Sequence, residues 1–333
     1  MKKLINEPAH YVDEMLQGLI SAFPELTLGG ESGRCVARSA PAPEGKVGIA
    51  TGGGSGHMPL FTGYVGQGLL DACAVGNVFE GPSVQSCVDA IKAADRGGGV
   101  LCLYGNYGGD RMNFDMASEM AGFEGIRCET VLGADDIASA GPQDADTRRG
   151  VAGIVFLYKV AGAAAEQGRD LSQVADVVKK AAARTRSIGV ALSPCRVPTA
   201  CEPNFQIGDD EMELGMGIHG EPGIWRAPLK SADTVADTML DRLLTELSPR
   251  RGARVAVLVN GLGATPLEEL LILWRRVAER LGQASMSPVE PMVGSYVTSM
   301  EMAGASLSLM MLDEDLEALL RAPASCPFWK VAA

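Results

Sequence analysis

The segment "KVGIATGGGSGHMP" (residues 46–59) joins an aliphatic run to a cluster of glycines and a histidine. Its first part, "KVGIAT" (46–51), has the short β-branched and aliphatic pattern of a buried strand. The glycines allow a tight bend after that strand and bring backbone N–H groups close to a ligand. The chain contains no G-x-x-x-x-G-K-[ST] motif, so this is not a Walker loop. We predict a strand whose glycine-rich end presents His57, either in a phosphate-cradling loop or in a plain tight turn.

The residues that follow alternate between helical and strand patterns. A helix is predicted at "SVQSCVDAIKAADR" (83–96), with Ser83 as its N-cap. Strands are predicted at "GVLCLY" (99–104) and "CETVLGA" (128–134), and Asn113 is a candidate cap for a helix between them. This alternation is typical of layered α/β architecture.

The same alternation continues to the C-terminus. The helix predicted at 153–168 is apolar on nearly all sides, which places it inside a domain or at a subunit interface. A further helix start is predicted, with Thr265 as the N-cap, Pro266 as the first-turn proline and Glu268 as the capping-box partner. The remaining predicted elements are helices at 171–186 and 233–247 and strands at 188–193 and 306–313, the last of them a closing strand.

A chain of 333 residues exceeds one comfortable hydrophobic core. We therefore predict two packed α/β/α sandwich domains with mainly parallel or mixed sheets. The first spans residues 1–186 and carries the glycine loops, and the second spans residues 187–333.

Composition excludes several classes of protein. The net charge of −12 argues against a nucleic-acid or anionic-membrane partner, because both repel an acidic surface. The eight cysteines form no C-x-x-C pair, so neither a zinc site nor a disulfide framework is indicated. The N-terminus lacks the apolar core of a signal peptide, and no run approaches a membrane span. We expect a reduced, soluble, cytoplasmic protein without a metal site.

Three glycine-rich segments each carry one ionisable side chain. "TGGGSGH" ends at His57, "GNYGGD" ends at Asp110, and "DDEMELGMGIHGEPG" (209–223) places His219 between glycines. Glycine neighbours let another molecule approach the imidazole closely, and loops at the carboxyl ends of strands are the usual ligand sites of α/β sheets. Two other roles are open for Asp110: it caps the next helix, or it forms an ion pair with Arg111. The residues alone predict a small polar ligand near His57, Asp110 and His219.

At these motifs the chain resembles the dihydroxyacetone kinase substrate-binding (DhaK-type) subunit family. The resemblance runs nearly end to end through "KKLINEP", "GGGSGH", "GYVGQGLLDACAVGNVF", "NYGGDRMNFDMASEMA", "RRGVAG", "GVALSPC", "DEMELGMGIHGEPG", "NGLGATP" and "GSYVTSMEMAG". Several of these motifs are long and occur in order, so a chance match is implausible.

The resemblance implies a covalent role for His219. In this family the matching histidine attacks the ketone carbon of the substrate and forms a hemiaminal, a reaction that an alcohol such as glycerol cannot undergo. Asp110 matches the residue that helps to deprotonate the substrate hydroxyl, and His57 matches its acid/base partner. The substrate-cradling loop matches at Gly54, Ser55 and Gly56.

The resemblance also implies that the phosphate comes from elsewhere. Family members rely on a nucleotide-binding helical (DhaL-type) unit, fused or separate, and we expect this chain to need such a partner. That partner carries ATP, or ADP recharged by a phosphotransferase-system protein, with Mg; this chain itself carries no cofactor. We also expect a homodimer.

The sequence departs from the family pattern beside the expected ligand. Met58 replaces a Glu, Gly105 a substrate-contacting Lys, and Gly108 a Thr, and "FEGP", with Glu80 and Gly81, replaces "FTSP". We assign Gly105 and Gly108 to the substrate site and predict an enlarged pocket that accepts a four-carbon ketose such as erythrulose. The alternative is drift that leaves the triose preference intact. A rival of another class is a ketose-binding sensor or regulatory subunit that keeps His219 but never engages a kinase partner.

Overall fold

The computed structural model describes residues 2–332 as two six-stranded sheets with helices packed on them. The eight α-helices of this described range are α1 (Tyr11–Ala22), α2 (Val84–Ala94), α3 (Gly108–Phe123), α4 (Ile154–Glu166), α5 (Leu171–Ala183), α6 (Ala232–Leu247), α7 (Leu267–Gln283) and α8 (Glu314–Arg321). Its strands are β1 (Leu26–Gly29), β2 (Cys35–Arg38), β3 (Gly48–Ser55), β4 (Ala72–Val78), β5 (Val100–Gly105), β6 (Cys128–Gly133), β7 (Thr185–Ala191), β8 (Glu211–Leu214), β9 (Trp225–Pro228), β10 (Arg254–Gly261), β11 (Ser287–Gly294), β12 (Gly304–Leu312), β13 (Ala324–Cys326) and β14 (Trp329–Val331). Across residues 2–332, every helix is too short or too polar to cross a membrane.

The first sheet has the order β1-β2-β4-β3-β5-β6. β4, β3, β5 and β6 are parallel, whereas the pairs β1–β2 and β2–β4 at one edge are antiparallel. Both faces are covered, because successive side chains of a strand point to opposite sides. Ala50 and Cys102 pack in the cluster that α2 and α3 contribute to, whereas Ile49 and Leu101 pack in the cluster of α4 and α5. This is an α/β/α sandwich.

The second sheet is mixed, with the order β11-β10-β12-β7-β8-β9 and one parallel pair, β10 with β11. Val255 and Val257 of β10 pack with the apolar faces of α6 and α7. The alternate residues Ala256 and Leu258 belong to the same buried cluster as the first sheet, α4 and α8. Both sheets therefore share a central apolar layer, and the predicted fold class is confirmed.

The C-terminal residues return to the first sheet's side of the molecule. Lys159 Nζ in α4 donates to the carbonyl of Leu319 in α8 at 2.8 Å, and the Ser325 N–H donates to the carbonyl of Gln67 at 2.9 Å. The strand predicted at 306–313 is thus not a closing strand but the internal strand β12, which α8 and the β13-β14 hairpin follow. The division at residue 186, which falls within β7, stays a prediction.

Two local capping predictions were wrong, and one was confirmed. Ser83 caps α2 by accepting the Ser86 N–H. Asn113 lies within α3, where its side chain donates to the Pro82 carbonyl at 2.7 Å instead of capping the helix.

The start of α7 differs from the predicted capping box. Pro266 occupies the N-cap position and α7 begins at Leu267. Thr265 does not cap, because its hydroxyl donates to the carbonyl and accepts the N–H of Gly304, both at 2.7 Å. The Thr265 hydroxyl therefore bonds to β12 instead of to the first turn of α7.

The glycine run after residue 51 continues β3 rather than bending it. A Cβ on Gly53 would lie 2.1 Å from Phe61 Cζ, and one on Gly54 would lie 2.8 Å from the Glu80 nitrogen. The bend comes only at Gly56, where φ is +102°. These glycines are needed mainly because neighbouring segments press on the strand, and only Gly56 is needed for its conformation.

Candidate functional site

The structure brings together the three ionisable residues predicted from the sequence. His57 follows β3, Asp110 lies in the first turn of α3 after β5, and His219 lies in the loop between β8 and β9. The ring centroids of His57 and His219 are 4.9 Å apart in a T-shaped arrangement, and the Asp110 carboxyl interacts electrostatically with His219. Loops of the first sheet thus meet one long loop of the second.

His219 is oriented by a carboxylate two residues along the chain. Glu221 Oε1 lies 2.9 Å from His219 Nδ1, and Glu221 Oε2 accepts the His219 backbone N–H at 2.9 Å. A carboxylate only accepts, so Nδ1 carries a proton, and in the uncharged ring the lone pair is then on Nε2. Burial favours a high pKa for Glu221, but the hydrogen bonds and charge of His219 prevail and lower that pKa to about 2. The result is an imidazole whose Nδ1 is held by a carboxylate, with Nε2 left outside that hydrogen bond.

The backbone around His219 is fixed from several sides. Asn204 Nδ2 donates to the His219 carbonyl at 2.9 Å, and the Ser299 hydroxyl donates to the Ile218 carbonyl. Gly220 has φ +89°, and a Cβ there would lie 2.3 Å from Asn204 Nδ2. The glycine next to His219 is therefore required both by the turn and by this close approach.

Two aromatic rings enclose the imidazoles. Phe79 stacks on His57 with centroids 5.0 Å apart and contacts His219 edge-on at 5.2 Å. The Tyr107 ring meets His219 edge-on at 4.9 Å, while its hydroxyl donates to the Gly150 carbonyl at 3.1 Å. Aromatic rings lower the local dielectric constant, which strengthens electrostatic effects on a bound group.

His57 is neutral and presents one free acceptor. Its Nδ1 lies 2.7 Å from the Thr298 carbonyl, which must accept, so Nδ1 carries the proton. Burial and the nearby charge of His219 lower the pKa of His57 to about 3. Its Nε2 is buried and has no hydrogen-bond partner. A buried unpaired acceptor is costly, and it is expected where a ligand supplies the missing donor.

Asp110 presents a second free acceptor. It neither caps α3, whose N-cap position is Tyr107, nor forms an ion pair with Arg111 within residues 2–332. Its Oδ1 is buried without a hydrogen-bond partner. Burial raises the pKa of Asp110 to about 6, against an opposing effect of His219. A Cβ on Gly81 would lie only 2.5 Å from this oxygen.

The loop predicted to contact the substrate, Gly54, Ser55 and Gly56, already uses some of its polar groups in hydrogen bonds within the protein. The Ser55 hydroxyl donates to the Gly76 carbonyl at 2.8 Å, and the Gly56 carbonyl accepts the Met300 N–H at 2.8 Å. A Cβ on Gly56 would lie 2.9 Å from the Phe79 ring, so this glycine lets the stacked ring approach. Gly54 lies against the segment that carries Phe79.

Gly105 and Gly108 occupy different surroundings. Gly105 ends β5, and a Cβ there would lie 3.2 Å from the Tyr107 ring, beside the imidazoles. A Cβ on Gly108 would meet no atom within 4 Å, so that position opens to free space. Of the two, Gly105 borders the site more closely.

Sequence reasoning missed the residues that support the imidazoles. Glu221 stood in the quoted "GIHGEPG", two residues from His219, and its carboxylate was a usable signal. Thr298 acts through its backbone carbonyl, which carries no sequence signal. Among residues 2–332, no group of three or more His, Cys, Asp or Glu side chains is arranged to hold a metal ion.

Known proteins are similar to this chain in sequence and in fold. Residues 17–328 match the family model described as the Dak1 domain. The chain is 45% identical over 332 residues to the PTS-dependent dihydroxyacetone kinase 2, dihydroxyacetone-binding subunit DhaK of Listeria innocua, covering 99% of this chain and 100% of that protein. It is 44% identical over 334 residues to the L-erythrulose kinase of Pectobacterium atrosepticum, covering 99% of this chain but 56% of that protein.

Two solved structures show the same arrangement. The dihydroxyacetone kinase from C. freundii in complex with AMP-PNP and Mg²⁺ superposes with a TM-score of 0.90 at 35% identity, over 99% of this chain and 61% of that one. The dihydroxyacetone kinase operon co-activator Dha-DhaQ superposes with a TM-score of 0.89 at 31% identity, over 97% and 99%. The resemblance inferred from the motifs is confirmed: this chain belongs to the Dak1 domain family of dihydroxyacetone kinase substrate-binding subunits.

Proposed function

We propose that this chain is the substrate-binding subunit of a ketose kinase, which holds a short-chain ketose on His219 and presents its terminal hydroxyl for phosphorylation. One observation carries this proposal. A ring nitrogen with a free lone pair, His219 Nε2, lies in a site with two buried acceptors that lack donors, His57 Nε2 and Asp110 Oδ1. A hydroxylated carbonyl compound supplies both an electrophile and the missing donors.

The covalent step follows from the protonation of His219. Its Nε2 lone pair forms a bond to the ketone carbon, the carbonyl π electrons move onto oxygen, and that oxygen takes up a proton from solvent. The ring then carries a positive charge at Nδ1–H, which the Glu221 carboxylate at 2.9 Å stabilises. The arrangement is similar to the carboxylate–histidine pair of hydrolases, in which the acid fixes the tautomer. Glycerol has no carbonyl and gains nothing from this nitrogen.

The two acceptors divide the work on the hydroxyl according to their pKa values. His57, with a pKa of about 3, is a weak base and cannot donate from Nε2 at neutral pH. Asp110, with a pKa of about 6, is ionised at neutral pH and is the stronger base of the pair. Asp110 therefore removes the hydroxyl proton, and His57 orients the hydroxyl by accepting a hydrogen bond. We propose this division of roles in place of the acid/base role that the resemblance implies for His57.

The phosphoryl group comes from a nucleotide-binding helical partner that carries ATP, or ADP recharged by a phosphotransferase-system protein, with Mg. Two relatives support this. The Listeria protein is described as one subunit of a PTS-dependent kinase, and the C. freundii enzyme, of which this chain spans 61%, was solved with AMP-PNP and Mg²⁺. This chain then contributes positioning, which is most of what phosphoryl transfer requires.

The substrate is a triose or a tetrose, and the surroundings of Asp110 favour the larger. Gly81 leaves the space beside the Asp110 carboxylate without a side chain, and Gly105 does the same beside the Tyr107 ring. The 44% identity to an L-erythrulose kinase agrees with this choice, although the Listeria relative is named for dihydroxyacetone. We propose erythrulose as the preferred ketose.

A second function has one specific observation in its favour. The operon co-activator Dha-DhaQ shares the fold over 97% of this chain, so a regulatory ketose-binding role is compatible with the fold. A sensor needs only the adduct on His219. The buried base Asp110 and the acceptor His57 are required only for chemistry on the hydroxyl, and they favour the kinase role.

Carbon NMR of ketose labelled at the carbonyl tests the proposal directly. Dihydroxyacetone and erythrulose are each mixed with the protein and with a His219→Ala variant. We expect a new tetrahedral-carbon signal that requires His219 and is stronger for erythrulose. Ketone and hydrate signals alone would contradict covalent capture, and a stronger response to dihydroxyacetone would contradict the tetrose preference.

A further inference from the structure

Glu221 faces one charged residue outside its own loop, Arg149. Arg149, which precedes α4, reaches across to the 215–221 loop. Its Nη1 lies 4.0 Å from Glu221 Oε2, and its Nη2 donates to the Gly215 carbonyl at 3.1 Å. One guanidinium thus contacts both the carboxylate and the backbone of the loop that carries His219.

Arg149 is in turn fixed on the first sheet's side. Its Nε donates to Asp136 Oδ2 at 2.9 Å, and its Nη2 forms an ion pair with the same oxygen at 2.8 Å. Its backbone carbonyl accepts the Asp136 N–H at 3.1 Å. Asp136 Oδ1 accepts the Ala138 N–H at 3.0 Å, so this buried carboxylate is also held in place. A guanidinium held by one carboxylate keeps its remaining N–H groups aimed in one direction.

Gly217 provides the space in which the two charged groups meet. A Cβ on Gly217 would lie 2.1 Å from Glu221 Oε2 and 2.6 Å from Arg149 Nη1. The φ of Gly217 is not positive, so the backbone itself does not demand glycine there. The position instead needs glycine because the carboxylate and the guanidinium lie directly against it.

From these contacts we infer that Arg149, held by Asp136, is a positioning residue that acts on His219 through Glu221. The inference rests on the proposed function for its catalytic consequence, but not for its structural content. If Glu221 turned away, His219 Nδ1 would lose its acceptor, and the proton could move to Nε2, the nitrogen that must attack. The first sheet's residues thereby set the tautomer of a histidine on the second.

Two variants disturb the contact independently. Gly217→Ala places a methyl group against the Glu221 carboxylate without removing any charge. Arg149→Gln removes the guanidinium and leaves the loop glycines intact. Gly208→Ala is a matched control for the first variant, since a Cβ there would also lie close to a carboxylate, 3.1 Å from that of Glu211. We assign Glu211 no role in the site. Arg186→Gln is a matched control for the second, because Arg186 is a similarly half-buried arginine that pairs with Glu246 at 3.1 Å.

The measurement is nitrogen NMR of the ring nitrogens of His219 in the ketose-free protein, followed by carbonyl-carbon NMR of the adduct. We expect the wild type and both controls to show protonated Nδ1 and bare Nε2. Gly217→Ala and Arg149→Gln should shift both ring nitrogens toward a tautomer mixture and reduce the adduct population by roughly 10-fold or more. Thermal unfolding of all four variants establishes that each is folded.

The two NMR readouts separate this inference from the proposed function. Unchanged His219 nitrogen shifts in folded Gly217→Ala and Arg149→Gln would overturn the inference, and so would a lower melting temperature without any shift change. If the wild type forms no adduct but the nitrogen shifts respond as expected, the positioning role stands and the carbonyl chemistry falls.

Discussion

Glu221 contacts His219 twice, with one carboxylate oxygen on the ring Nδ1 and the other on the backbone N–H, each at 2.9 Å. A two-point contact fixes both the position of the ring and the nitrogen that carries its proton. In the uncharged ring this places the lone pair on Nε2, the nitrogen that we propose attacks a carbonyl carbon.

Replacing Glu221 by Gln should weaken covalent capture without abolishing it. The amide oxygen can still accept from Nδ1, but the negative charge that stabilises the positively charged adduct is lost. We expect the adduct population to fall by roughly 10- to 100-fold, as is usual for residues that orient a functional histidine. Titration of labelled ketose by carbon NMR measures the change, and Glu211→Gln, at the start of β8, serves as a control. An unchanged population would show that Glu221 does not act on His219.

Asp110→Asn should strongly reduce phosphorylation while making the protein more stable at neutral pH. Loss of the base should reduce turnover by about 10²- to 10⁴-fold while the adduct on His219 persists. Burial raises the pKa of Asp110 from 3.8 to about 6, so the folded state disfavours the charged form, and its contribution to stability declines as the pH rises through 6. The variant avoids this loss and should gain up to about 3 kcal/mol above pH 6 and nothing below pH 4. Thermal unfolding of the variant and the wild type, above pH 6 and below pH 4, measures the gain. Equal melting temperatures of the two proteins at pH 7 would contradict it.

The rate of phosphorylation should rise with pH through the range near 6. Only ionised Asp110 accepts the hydroxyl proton, and its pKa is about 6, so activity is lost as the pH falls below that value. His57 is neutral throughout this range because its pKa is about 3. The measurement is kcat/KM for the ketose from pH 5 to 8 with the nucleotide-bearing partner in excess. A flat profile over this range would assign the base elsewhere.

Gly81→Ser should move the ketose preference toward dihydroxyacetone. A Cβ there lies 2.5 Å from Asp110 Oδ1, so the serine narrows the space beside the base. We expect the ratio of kcat/KM for erythrulose to that for dihydroxyacetone to fall by about 10-fold or more, which is typical for one extra carbon in a tight pocket. Gly108→Thr is the matched control, since its side chain enters open space and should change the ratio less than about 2-fold. An unaltered ratio in Gly81→Ser would place the selectivity at another position.

Two glycine substitutions in helices should affect stability in opposite directions. In Gly162→Ala the new methyl group would lie 2.3 Å from the Leu69 nitrogen, so α4 must move away from backbone atoms, and the expected loss is about 3 kcal/mol. Gly122→Ala in α3 meets no atom within 4 Å and should gain about 0.5–1 kcal/mol from helix propensity. Melting temperatures of the two variants check the pair. Similar values for both would show that α4 is not packed as closely as described.

Several features of the fold follow directly from the sequence because they depend on neighbours along the chain. Periodicity predicted α2, α4 and α6 and the strands β5 and β6 within a few residues, since an amphipathic or fully apolar pattern is local. Glycine-rich loops after strands identified His57, Asp110 and His219, because the close approach of another group requires the absence of a side chain. The two wrong cap predictions, at Asn113 and Thr265, were those in which a distant backbone group competed with the local one.

The chemical state of the site depends on residues that the chain order keeps far apart. His57 owes its tautomer to the Thr298 carbonyl, 241 residues away, and a backbone carbonyl leaves no mark on a sequence. The pKa of Asp110 is raised only because folding buries the carboxyl group, and folding also leaves one of its oxygens unpaired. The sequence determined which side chains are available and where the chain turns. Packing of the two sheets determined their protonation, because desolvation and hydrogen bonding act through space and not along the chain.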